Sequence, residues 1–133
     1  MYDPFNCAGR LSRMLALAGS VALAISQPLW SASCVGPAPL EARVHSHPDA
    51  NAYEALGIWF GENRKSECAA QAFQAGLKLE PNSFHLSYLL GLSFYTAGKL
   101  QESVAPLQLS VELNSKEEKA RLLLASALAS ARV

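Results

Sequence analysis

The sequence predicts an all-α protein built from recurring antiparallel helical hairpins, about two and a half of them, and three observations predict it. From Ala50 onward, apolar side chains fall three and four residues apart, the spacing of one helix face. Leu56, Leu90 and Leu124 recur at intervals of 34, followed by Gly57, Gly91 and Ala125, then by Phe60, Phe94 and Leu128. Residues that turn or stop a chain, namely Asn63, Pro81 and Gly98, fall between the apolar stretches.

The chain opens on what reads as an address. Arg10 and Arg13 make a basic region, Met14 to Ile25 an apolar one, and Pro28 breaks it before the small residues Ser31, Ala32 and Ser33. That order is the pattern of a secretory signal peptide over residues 1–33, removed after Ser33, so the protein is expected to be exported, periplasmic or secreted. Two alternatives stand beside it. An uncleaved membrane anchor needs roughly 18–20 apolar residues, more than this run offers. A lipid on Cys34 would call for an aliphatic residue at Ser31.

Residues 34–49 read as a leader containing Pro37 and Pro39, expected to be mobile. Leu40 to Val44 has the look of the tail of a helix too short to pack. Export would place Cys34 and Cys68 in an oxidising compartment where a disulfide between them can persist. The simpler expectation leaves them unpaired, one in the mobile leader and one on a helix.

Helices are expected over Ala50–Phe60, Cys68–Leu79, Phe84–Thr96 and Glu102–Leu113. Asn63 and Gly98 fall where a left-handed residue would end a helix. Asn82-Ser83 can cap the helix that follows Pro81, and Ser115-x-x-Glu118 has the form of a capping box. Pro106 lies inside the fourth of these helices, near its N-terminal part, and is expected to bend it without ending it.

Within the first unit the order is Tyr53-x-x-Leu56-Gly57-x-x-Phe60, then Ala69-x-x-x-Phe73, then Pro81. The second unit repeats it as Leu90-Gly91-x-x-Phe94, Gly98 and Ser103-x-x-x-Leu107, departing at Ser87 and Ser115. This order resembles the tetratricopeptide repeat (TPR), with an aromatic, Leu-Gly, an aromatic, a small residue four before an aromatic, and a closing proline. The resemblance implies a TPR-like α-solenoid over 50–133, with repeats at 50–83 and 84–117 and a half repeat at 118–133. It further implies that Gly57 meets Ala69, and Gly91 meets Ser103, where helices cross. Phe60, Phe73, Leu77 and Leu79, then Leu90, Phe94, Leu107, Val111 and Leu113, would fill the wedge between units.

In such arrays the first helices line a concave groove that receives a partner segment. By position the groove would present Glu54 and Ile58, then His85, Tyr88, Leu92 and Tyr95, then Leu122. Glu54 and Ile58 stand where family members that clamp a carboxylate carry basic and amide side chains, so an apolar protein or peptide segment is the expected partner. Tyr88, Leu92 and Tyr95 have the composition of a binding hot spot, although neighbouring helices could equally bury that stripe as core. Residues 122–129 are apolar on nearly every face, whereas a terminal helix is normally polar outside. Self-association through 117–133, or continuation into a longer exported protein whose chemistry lies elsewhere, would cover them.

Eleven basic and eleven acidic residues cancel, leaving no bulk field to attract nucleic acid. No phosphate loop, dinucleotide fingerprint or zinc spacing occurs, so neither an enzyme nor a cofactor is expected. His45, His47 and Asp49 are metal-ligand types, but Pro48 and a solvated setting make a metal site the poorer reading. Cys68 with a distant histidine could imitate a nucleophile and its base, but no third orienting group or oxyanion donor can be identified.

Overall fold

The computed structural model describes residues 34–132, and among these the chain is helical, with no strand. The signal-peptide expectation falls on residues 1–33 and lies outside the described residues. Six helices follow in order: α1 (Ala38–Ser46), α2 (Ala50–Glu62), α3 (Ser66–Leu79), α4 (Phe84–Thr96), α5 (Leu100–Leu113) and α6 (Glu118–Ala131). The starts of α2, α4 and α6 lie 34 residues apart, as do those of α3 and α5. Each helix packs on its neighbours in the chain, and α4 also meets α6.

Local chemistry sets the ends. The Asp49 carboxylate accepts from the Ala52 N–H at 2.6 Å and the Ser83 hydroxyl from the Leu86 N–H at 3.3 Å, capping α2 and α4. Both helices stop in the same way. The Lys65 N–H donates to the Phe60 carbonyl at 2.9 Å and the Arg64 N–H to Gly61 at 3.1 Å; Lys99 to Phe94 and Gly98 to Tyr95 repeat these bonds at the same distances. This is the six-to-one and five-to-two pair of a Schellman turn, which needs a left-handed residue at its centre. Gly98 supplies it at φ +78°, and Arg64 supplies it at φ +59°. Asn63 was the expected left-handed residue, but it keeps φ −92° and spends its side-chain amide on the Trp59 carbonyl.

Two further end signals shift. The cap of α6 is Glu117, 34 residues after Ser83, and its side chain caps nothing. The capping box at Ser115 does not form, because the helix begins two residues too late for it. Pro106 leaves α5 continuous from Leu100 to Leu113, at the loss of one backbone bond to the Glu102 carbonyl.

The core follows the same interval. Ala52, Leu86 and Ala120 are closed to solvent, as are Phe73 and Leu107. A Cβ on Gly57 would lie 2.5 Å from the Phe73 ring, and one on Gly91 would lie 2.5 Å from Leu107 Cγ. The close approach is therefore made against the larger residue one turn beyond Ala69 and Ser103, both of which are fully buried beside it. Leu79 and Leu113 do not fill wedges: they are 51% and 38% exposed at the ends of their helices.

The leader is the main departure from expectation. Residues 38–46 form α1, which packs on α2 with Leu40 and Val44 against the core. Cys34 and Cys68 form a disulfide with Cα atoms 5.3 Å apart. The Gly36 N–H donates to Glu41 Oε1 at 2.8 Å, turning the chain into the helix. A nine-residue helix with no fully buried residue is too short to persist alone in water; the contact with α2 and the covalent tether hold it.

Candidate functional site

The seven expected groove residues come from three helices. The α2 face presents Glu54 and Ile58, four apart, and α4 presents His85, Tyr88, Leu92 and Tyr95. Glu54 Oε1 lies 3.4 Å from His85 Nε2, so these two join α2 to α4. With the imidazole 56% exposed, such a pair contributes about 0–1 kcal/mol when charged.

Four of the seven divide between two recesses. Ile58 and Leu92 face a cleft of about 510 Å³ whose apolar walls also include Phe73 and Leu89. Gly57 and Gly61 form its glycine side, and Glu62, Arg64, Ser66, Ser93 and Thr96 supply the polar lining. The Thr96 hydroxyl lies 3.0 Å from Ser66 Oγ and 3.0 Å from the Ser93 carbonyl, tying α4 to the start of α3. His85 and Tyr88 line a smaller recess of about 220 Å³ with Phe84, Glu117 and Lys119. There the Tyr88 ring stacks on Phe84 at 6.5 Å between centroids.

Tyr95 and Leu122 line neither of these recesses. Tyr95 is half-buried, and Leu122 is 60% exposed on α6. Tyr88, Leu92 and Tyr95 are all half-buried, neither closed core nor free surface. Sequence reasoning missed Gly61, Arg64, Ser66, Phe73 and Thr96 as part of the cleft. One signal for it was present: 34 residues before Tyr95 the sequence has glycine, at 61.

Among the described residues, no three of His, Cys, Asp and Glu converge as a metal-holding group. His45, His47 and Asp49 lie exposed at the α1–α2 junction. Cys68 has its sulfur in the bond to Cys34 and offers no thiolate. No described helix is long and apolar enough to cross a membrane. No protein-family model matches the chain, and no curated protein matches it either.

Proposed function

We propose that this chain is an exported, non-enzymatic TPR-like scaffold that binds a partner segment along the face shared by α2 and α4. The cleft between those helices carries the proposal: its lining is mostly apolar with polar side chains among it, and it is open to solvent at a size suited to side chains rather than water alone. The TPR reading is supported by the 34-residue recurrence of helix starts, Schellman turns and glycine contacts.

Export is supported by the disulfide, since such bonds persist in oxidising compartments and are rare in the cytosol. The same bond weighs against a lipid on Cys34, because one sulfur cannot be both thioether and disulfide. N-terminal sequencing of the protein recovered from its producing cell tests this part, and a chain still carrying residues 1–33 outside any membrane fraction would overturn it.

Binding is tested by comparing wild type with an Ile58→Ala, Leu92→Ala double variant of matched thermal midpoint. A partner isolated on the wild type should bind the variant at least tenfold more weakly; equal affinity would refute the groove. A second reading rests on α6, where Leu122 and Leu128 remain 60% and 37% exposed. That face favours a self-associating chain or an accessory domain of a larger exported protein, and a concentration-independent monomer in sedimentation would count against the first.

A further inference from the structure

Helix α6 has two opposed faces. Ala120 and Ala127, seven residues apart, are fully buried on the side where α6 packs on α5 and α4. Around a helix of 3.6 residues per turn, the residues opposite them are Glu118, Leu122, Ala125, Ala129 and Arg132. All five are exposed. Their spacing is four, three, four and three, the stripe through which one helix seats on another in a coiled coil. Ala125 also stands one period beyond Gly91, as Gly91 does beyond Gly57, and the helix that follows closes those two stations with Phe73 and Leu107. Among the described residues no helix follows α6, so the station at Ala125 is open there.

We propose that this face seats the same face of a second copy of the chain, as an antiparallel pair of α6 helices about a twofold axis at Ala125. This deepens the self-association reading of α6 and rests on it. Charge names the occupant. Glu118 and Arg132 lie seven residues to either side of Ala125, so an antiparallel copy centred there brings Glu118 to the partner's Arg132 at one end and repeats that pair at the other. Among the described residues, neither Glu118 nor Arg132 has an ion-pair partner within the chain. A parallel copy would set like charges together at both ends, which opposes association. Size fits in the same register: Leu122 falls beside the partner's Leu128 and the partner's Ala129, where the small alanine leaves room for it. The buried alanines point the other way, which leaves each domain behind its own α6. A twofold contact uses one patch on both copies and closes at two. One helix pair buries less surface than a permanent complex does, so the dimer forms with concentration.

Sedimentation of the full chain across roughly 1–500 µM, a span that brackets micromolar affinity, tests the pairing. A reversible monomer–dimer equilibrium with no larger species is expected. Leu122→Glu, at an exposed site, should keep the wild-type thermal midpoint and weaken the dimer at least tenfold; Ala125→Glu probes the same face a second way. Glu118→Arg alone, or Arg132→Glu alone, should weaken it about threefold at low salt, because each puts two like-charged contacts in the dimer. The two together should restore wild-type affinity, since exchanged charges again meet opposite ones. The helix dipole predicts the reverse, because the double exchange leaves the unfavourable sign at both ends of α6. A dimer that survives both Leu122→Glu and Ala125→Glu overturns the pairing and leaves the self-association reading standing elsewhere on the chain. Failure of the double exchange to restore affinity, or growth beyond two copies, overturns the antiparallel twofold arrangement. A monomer at every concentration overturns the pairing and the self-association reading together, and leaves the groove between α2 and α4 untouched.

Discussion

Replacing Cys34 by Ser together with Cys68 by Ala removes a bond that spans 34 positions of chain. In the chain-entropy account, a closed loop of that length restricts the unfolded ensemble by about 4 kcal/mol at 25 °C. Small domains are stable by only about 5–15 kcal/mol, so the loss is a large part of the whole. For a domain near 100 residues it corresponds to a drop of roughly 15–30 °C in midpoint. The assay is urea unfolding followed by far-UV circular dichroism, comparing oxidised wild type, wild type with a dithiol reductant, and the double variant. The two unbridged forms should agree and fall by the same amount. The magnitude assumes that α1 unfolds with the rest. If α1 instead lifts off by itself, the bond restrains a segment of one short helix, and the change falls below about 1 kcal/mol. A loss that small, with amide exchange in α2 to α6 unaltered, would refute the coupling of α1 to the core.

Three other substitutions read the ends and interior of the helices. Arg64→Gly should stabilise by about 1 kcal/mol, because it relieves a left-handed arginine at the site where Gly98 serves the next turn; a chemical denaturation series checks it. Glu117→Ser should add about 1 kcal/mol by giving α6 the short capping side chain that Ser83 gives α4, and an unchanged midpoint would show that the α6 start frays regardless. Ser110→Ala should be neutral or stabilising by about 1 kcal/mol, since the Ser110 hydroxyl is buried without a hydrogen-bond partner; a clear loss of stability would reveal a partner that the hydroxyl requires.

The interval of 34 was legible because it is written in residue types that local physics constrains: leucine at 56 and 90, glycine where helices press together, and glycine at 98 where the backbone reverses handedness. What escaped was decided by contacts across the chain or by one-residue differences in phase. Arg64 is an unfavourable left-handed residue, so its neighbour Asn63 drew the prediction although the Schellman bonds fix the site at 64. Ser115 is a good capping residue in a place where the helix has not begun. Leu79 and Leu113 carry apolar side chains at helix ends that overhang their partners. The helix α1 is flanked by prolines and short, and propensity does not favour it; its apolar contacts with α2 and the sulfur bond outweigh that. Cys34 and Cys68 lie one period apart, yet Cys34 precedes α1 while Cys68 sits inside α3, so their pairing was decided by contact across the chain. The cleft was hidden for a different reason, since an absent side chain leaves no apolar pattern to read.

Tension offers a last consequence of the bridge between Cys34 and Cys68. Were the chain pulled from its amino end, load arriving at Cys34 would pass through sulfur straight into α3. The stretch between the two cysteines, which contains α1 and α2, would stand outside the line of force while the later helices peeled away. A tethered molecule would then yield a shorter contour on extension when oxidised than when reduced, and the wall of the cleft formed by α2 would be spared the strain of being drawn straight.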